Sequence, residues 1–282
     1  MTSDTFIPIH ALPQPAVSPM NTTTPPTIQF TNGAAYERYM GLWSQQVGQA
    51  FIDWLDAPSG GRWLDVGCGN GAFTELVAQR CQPQALAGID PSAQQLDFAR
   101  ARASTAQAEY VQGDAMALPY GAAQFDVAVM PLVIFFLSDP ALGVAEMARV
   151  VRPGGLVAAY SWDMPAGGFP YALLQDELTS LGVAVPTPPS PQASDMDVLA
   201  KLWAGAGLRD IATRDITVQR TYASFGDYWA TVQGAPSMGA KLAALSAEHT
   251  ATLKARLQAR LVANAAGEIT CAARANAIFG TV

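Results

Sequence analysis

The chain reads as an α/β protein, a doubly wound and mostly parallel sheet, on three observations. Short apolar runs alternate with helical patterns from residue 62 to 162. Three glycines on alternate positions, Gly67, Gly69 and Gly71, join the first apolar run to the first helical one. The next apolar run closes on Asp90, about 20 residues further on, the spacing of a carboxylate that grips ribose hydroxyls. Strands covered on both faces read as continuous apolar runs, and the helices between them supply the crossovers that parallel pairing needs.

Residues 1–27 carry Pro8, Pro13, Pro15, Pro19, Pro25 and Pro26 among Ser, Thr and Asn, the pattern of a disordered leader. A single domain is expected over 28–282. It opens with a helix over 34–57, set by Tyr36, Tyr39, Met40, Trp43, Val47, Phe51 and Leu55 and stopped by Pro58 and Gly60-Gly61. Strands follow at 62–66, 85–89, 109–112, 125–130 and 155–161, with helices at 71–80, 92–103 and 139–150. Ser138-Asp139-Pro140 starts the last helix, with a capping side chain ahead of Pro, and Arg152-Pro153-Gly154-Gly155 stops it. Beyond 162 the alternation breaks. A Pro- and Gly-rich stretch, Met164 to Pro191, holds a short amphipathic segment, Tyr171 to Leu181. A helix at Asp195 to Ala206, a strand over 208–220, helices at 224–233 and 238–263 and a strand over 268–279 complete the chain.

With 282 residues, half of them apolar and 14% charged, the chain can bury a large core. A net charge of -7 gives nucleic acid or an anionic membrane no electrostatic footprint. Cys68, Cys81 and Cys271 are scattered, and His10 and His249 lie far apart, so neither a disulfide framework nor a zinc site is signalled. The apolar run Val127 to Leu137 is too short to span a bilayer and contains Pro131. The N-terminus shows neither a basic n-region nor an apolar h-region, and a cytoplasmic protein is expected.

The glycine loop lets a ligand sit against bare main chain at a helix N-terminus, the pattern of a nucleotide-type site. Read alone, Gly67-x-Gly69-x-x-Ala72 also satisfies the dinucleotide fingerprint, which keeps a nicotinamide-dependent oxidoreductase as a competing reading. Its other marks, a Tyr-x-x-x-Lys pair or a second glycine fingerprint, do not occur. Three acids separate the two readings. Asp65 closes the first strand two residues before Gly67, where a fixed negative charge repels phosphates and favours an ammonium or sulfonium. Asp90 suits a ribose, although Ser92 beside it can simply cap the next helix. Asp114, just past the third strand, can accept an adenine amino group or be a solvated loop acid. Acids at three successive strand ends suit a nucleoside that carries a positive charge.

At this point the sequence resembles the class I S-adenosylmethionine-dependent methyltransferases, and is similar to those of ubiquinone and menaquinone biosynthesis. The resemblance rests on LDVGCGNGAFT (64–74), GIDPSAQQLDFAR (88–100), GDAMALPY (113–120), FDVAVMPLVIFFLSDP (125–140) and EMARVVRPGGLVAAYSW (146–162). It implies a seven-stranded Rossmann-like methyltransferase fold whose final strand runs antiparallel at the sheet edge. Helical lid insertions at 163–194 and 222–266 then leave the sheet on the glycine-loop side, beside a cofactor core at 62–162. It also implies S-adenosylmethionine as cofactor and a small-molecule acceptor. By resemblance, Gly67, Cys68, Gly69 and Gly71 approach the methionine part, Asp65 its ammonium, Asp90 with Pro91 the ribose, and Asp114, Ala115 and Met116 the adenine. Met130 sits just past the fourth strand beside the methionine group. Tyr36 and Arg38 match an N-terminal helix that closes over the cofactor, where Tyr36 could equally be a core aromatic.

One departure is Phe135-Phe136, where relatives often carry His-His, so an acid or base at that position gives way to packing. Trp162, Phe169, Tyr171, Phe225, Tyr228, Trp229 and Met238 are candidates to cover an apolar or aromatic acceptor, or to form the lid's own core. Asp163 is the best candidate for a polar acceptor contact, and His249 reads as a surface helix residue. Methyl transfer is then expected to rest on positioning rather than on a strong base. A non-catalytic protein that binds the cofactor is the remaining alternative, because binding motifs and chemistry lie in different segments.

Overall fold

In the computed structural model of the protein, the described residues are 37–57, 59–235 and 238–282. The predicted leader and Tyr36 lie outside them, as does the side chain of Arg38. Among the described residues seven strands form one sheet in the order β3-β2-β1-β4-β5-β7-β6. The strands are β1 Arg62–Val66, β2 Ala85–Asp90, β3 Glu109–Gln112, β4 Phe125–Pro131, β5 Val151–Trp162, β6 Arg209–Tyr222 and β7 Ile269–Thr281. β1 to β5 pair in parallel, and β7 runs antiparallel to both β5 and β6. The predicted doubly wound, mostly parallel, seven-stranded sheet is therefore present, with one correction. The final strand lies inside the sheet, and β6 takes the edge.

Helices cover both faces. The N-terminal segment makes a π-turn at Glu37–Gly41 and continues as α1, Leu42–Leu55. The predicted stripe Trp43, Val47, Phe51 and Leu55 is its buried face, packed with Trp63, Val77, Tyr160 and Ile216 in one apolar cluster. α2 (Ala72–Cys81) and α3 (Ala93–Arg100) follow β1 and β2. The other face is filled by α4 (Pro140–Val150), through Val144, Met147 and Val150, and by α6 (Met196–Gly205), through Leu199 and Trp203. The buried Trp203 indole donates to the Val157 carbonyl at 3.0 Å, so its one polar atom is satisfied. Asp139 caps α4 by accepting from Leu142 N, as Ser138-Asp139-Pro140 predicts. Val151 enters β5 directly from α4, and Arg152 to Gly155 form a register shift inside the strand, where a loop and a later strand start are predicted.

The segments after β5 and β6 leave from the same end of the sheet as the glycine loop, because both strands run parallel to β1. They contain α5 (Ala172–Ser180), then α7 (Phe225–Gln233), α8 (Met238–Ala243) and α9 (Ala247–Arg260). The helix predicted over 238–263 is two helices, because the Ser246 side chain caps a new start by accepting from His249 N. Glu177 on α5 binds Arg256 and Arg260 on α9 at 3.5 and 3.0 Å, joining the two segments.

Candidate functional site

The site is built at the ends of β1, β2 and β4. After Val66 the amides of Gly67 and Cys68 both donate to the Ile89 carbonyl, at 2.7 and 3.0 Å, which ties the loop to β2. Gly67 has a φ of +76°, and a Cβ there would lie 2.4 Å from a Val133 methyl, so the turn after β4 is packed against bare backbone. Gly69 also has a positive φ, +51°, but a Cβ on it would meet nothing within 4 Å. Its side faces open space beside Asp90, whose Oδ2 accepts from Gly69 N at 2.9 Å.

Asp65, the penultimate residue of β1 rather than its last, is fully buried beneath this loop. Its Oδ2 accepts from the Thr74 hydroxyl at 2.7 Å, while Oδ1 is buried with no hydrogen-bond partner among the described residues. Burial pushes its carboxyl up to about 7 against the pull of Thr74, and the nearby Asp90 charge adds to the rise. Cys68 is buried, and its thiol is driven well above the ordinary range by burial and by Asp65 and Asp90, which leaves it inert as a nucleophile. Its Sγ and the ring of Tyr110 occupy the space that a side chain on Gly88 would need.

Asp90 ends β2 partly buried. Its Oδ1 accepts from Ser92 N at 2.8 Å, and Ser92 also caps α3 through Gln95 N, the capping role read for this segment. Burial raises the Asp90 pKa, and the two backbone donors, Ser92 and Gly69, oppose the rise. Pro91 follows, and its carbonyl accepts from Gln112 Nε2 at 2.9 Å. Asp114 is exposed and turns back to accept Met116 N on Oδ1 at 2.8 Å. Ala115 is buried, and the Met116 sulfur accepts from the Ser138 hydroxyl at 3.4 Å. Met130 lies inside β4 rather than past it. Its side chain is fully buried and would reach a Cβ on Gly143 of α4 at 3.7 Å, so only its main chain can border the site.

The aromatic candidates pack into one apolar cluster. Tyr171 stacks on Tyr39 with centroids 4.1 Å apart and donates to the Tyr39 carbonyl at 2.7 Å. Trp162, Tyr171, Tyr228, Trp229 and Met238 are buried, and Phe169 and Phe225 partly so. Phe135 and Phe136 sit on a 3-10 turn after β4, with the Phe135 carbonyl accepting from Ser190 N. Asp163 does not stand free to meet an acceptor. It is buried and paired with Arg274 of β7 at 2.6 Å, and its Oδ1 accepts Ala166 N. His249 is exposed on α9, as expected.

Sequence reading missed Thr74, Tyr110, Val133 and Arg274. Gly88 inside an apolar strand was the available signal for Tyr110, since a strand glycine marks close approach by another group. A cavity of about 340 Å³ also opens between α1 and α2, lined by Ser44, Gln49, Phe73, Leu76 and Tyr160. None of the predicted cofactor residues lines it.

The donor set fits a cationic nucleoside. Gly69 leaves room against the main chain, Asp65 holds an unpartnered buried oxygen, and Asp90 and Asp114 stand at the next two strand ends. No group of three or more His, Cys, Asp or Glu among the described residues could hold a metal ion. No helix among them is long and apolar enough to cross a membrane.

Residues 64–159 match the family described as Methyltransferase domain. The chain is similar to 2-phytyl-1,4-naphtoquinone methyltransferase of Thermosynechococcus vestitus, 33% identical over 44% of this chain and 54% of the relative. It is also similar to demethylmenaquinone methyltransferase of Deinococcus radiodurans, 36% identical over 38% of this chain and 45% of the relative. The chain thus spans about half the length of these curated relatives. Among solved structures, phosphoethanolamine N-methyltransferase 2 of Haemonchus contortus, in complex with phosphomonomethylethanolamine and S-adenosylhomocysteine, shares the fold. Its TM-score is 0.55 at 17% identity, covering 88% of this chain and 56% of that one. Residues 64–159, which build the glycine loop, the three acids and the β4 turn, are therefore the part of the chain that matches a methyltransferase domain, similar to that of the menaquinone-type enzymes.

Proposed function

We propose that the chain transfers the methyl group of S-adenosylmethionine to a small, flat, apolar or aromatic acceptor. The observation that carries the reading is the open backbone at Gly69, set between the unpartnered oxygen of Asp65 and the carboxylate of Asp90. The cofactor supplies an electrophilic methyl on a sulfonium, whose leaving group departs neutral. Gly69 leaves the main chain bare toward the methionine part, with Gly67, Cys68 and Gly71 shaping the loop around it, and Asp65 attracts its ammonium. Asp90 and Pro91 hold the ribose, and Asp114, Ala115 and Met116 meet the adenine. The main chain at Met130 borders the methionine group.

The chain's chief contribution is alignment and exclusion of water, since in-line displacement needs nucleophile, methyl carbon and sulfur in one row. Two observations favour positioning over a dedicated base. Asp163, the acid expected to meet the acceptor, is committed to Arg274, and Phe135 and Phe136 offer neither acid nor base after β4. The naphthoquinone and menaquinone names of two relatives support an aromatic acceptor.

Calorimetric titration with S-adenosylhomocysteine, beside NADH and NADPH, tests the reading. Micromolar binding of the first alone is expected, followed by label transfer from S-adenosylmethionine in a screen of small aromatic acceptors. Binding of a nicotinamide cofactor in its place would overturn the proposal.

A further inference from the structure

The loop from Gly113 to Tyr120 carries Asp114, yet little of its own sequence rigidifies it. Gly113 N donates to the Asp90 carbonyl at 3.2 Å and Ala117 N to the Asp114 carbonyl at 3.0 Å, which fixes the first half. The second half is held from outside by two residues of α4. Arg149 and Glu146 form a bidentate pair, with Nε to Oε1 at 2.6 Å and Nη2 to Oε2 at 2.7 Å. The same Arg149 donates through Nη2 to the Leu118 carbonyl at 3.0 Å and through Nη1 to the Tyr120 carbonyl at 2.8 Å. Glu146 Oε2 accepts from Leu118 N at 2.9 Å. Both peptide groups of Leu118 are thus gripped by opposite members of one ion pair.

A planar guanidinium can hold a carboxylate and two carbonyls at once, which an ammonium cannot. Leu118 and Ala115 are buried, so fixing Leu118 also fixes which way the loop's exposed residues turn. From this geometry we infer that Glu146 and Arg149 are positioning residues for the nucleobase end of the cofactor site. They set the loop so that Asp114 meets an exocyclic amine, and they thereby determine selectivity for adenine. The inference rests on the cofactor reading above.

The test compares S-adenosylhomocysteine with S-inosylhomocysteine, whose ring presents a carbonyl where adenine presents an amine. Wild type is expected to prefer the adenine ligand by about tenfold or more, the worth of one charge-assisted hydrogen bond. Arg149→Met should bring that preference to within about twofold and weaken the adenine ligand most, because the oriented acceptor is lost. In an Asp114→Ala background the same substitution should change the preference no further, since residues that act through one another are not additive. Arg149→Lys, which keeps the charge but not the fork, should behave like Arg149→Met and guards against a misfolded first variant. Amide exchange across 114–120 should quicken in both variants without ligand. An unchanged preference in either folded variant, or an equal loss in the Asp114→Ala background, would overturn the inference. Wild type that binds neither ligand would instead overturn the cofactor reading, and slowed or unchanged exchange would still count against the clamp.

Discussion

Thr74 donates its hydroxyl proton to Asp65 Oδ2 at 2.7 Å, and the other oxygen of that buried carboxylate has no partner among the described residues. A half-satisfied buried acid is a cost in the unliganded protein and an attraction for a cation. Burial lifts its pKa from 3.8 to about 7, so whatever stability this group contributes is full below pH 3.8 and is lost as pH rises through 7. About three units correspond to roughly 4 kcal/mol at most. Asp65→Asn should flatten the stability–pH curve between pH 4 and 8 and leave the variant the more stable protein at pH 8. Urea unfolding at several pH values measures this, and a parallel pair of curves would refute it.

The same carboxylate should link cofactor binding to pH. Ionised Asp65 attracts an ammonium and protonated Asp65 does not. Affinity for S-adenosylhomocysteine should therefore climb from pH 5.5 to 7.5 in wild type and stay level in Asp65→Asn, which titration across that range reads directly.

Gly67 and Gly69 share a positive φ but differ in what surrounds them. Gly67→Ala drives a methyl to 2.4 Å from Val133 and should destabilise the fold by several kcal/mol. Gly69→Ala meets no atom and should cost about 1 to 2 kcal/mol of backbone strain, yet lower S-adenosylhomocysteine affinity more than tenfold by filling the ligand's space. Thermal unfolding and calorimetry together separate the two. Equal melting temperatures would sink the contrast.

Asp90→Ala removes an acceptor for ribose hydroxyls and should weaken cofactor binding by roughly 1.5 to 3 kcal/mol. It also releases Gly69 N and Ser92 N, so some loss of thermal stability should accompany it. Unchanged affinity in calorimetry would remove Asp90 from the site.

Arg274→Met leaves the Asp163 carboxylate buried and unpaired. A fully buried pair broken this way costs about 3 to 5 kcal/mol. Here Arg274 is 45% exposed and Asp163 only 8%, so about 2 kcal/mol is expected. S-adenosylhomocysteine affinity should hold, which calorimetry and urea unfolding check side by side.

The strands from β1 to β4 were legible because each is a short run, apolar in all but β3, ended by Gly, Asp or Pro, signals that act locally. The glycine loop and the three acids were legible for the same reason. What escaped were relations between distant segments. Asp163 looks like a free acid at a strand end until β7 brings Arg274 alongside, and no local pattern pairs residues 111 positions apart. Val133 against Gly67 is of the same kind. Met130 falls inside both the predicted strand, 125–130, and the observed one, Phe125–Pro131, and that its side chain faces the core is set by α4, far along the chain. The break at Ser246 was visible as a capping residue, but the Ala- and Leu-rich pattern on both sides outweighed it.

The placement of β7 between β5 and β6 bears on how the chain assembles during translation. Strands β1 to β5 can pair as they emerge from the ribosome, each beside a neighbour already made. β6 leaves the ribosome before β7, the strand it hydrogen-bonds to, and meanwhile three helices are synthesised. Its backbone groups stay unpaired through that interval, an exposed template for wrong pairing. The charges of Arg214, Asp215 and Arg220 along it are well placed to keep the waiting strand soluble until β7 arrives.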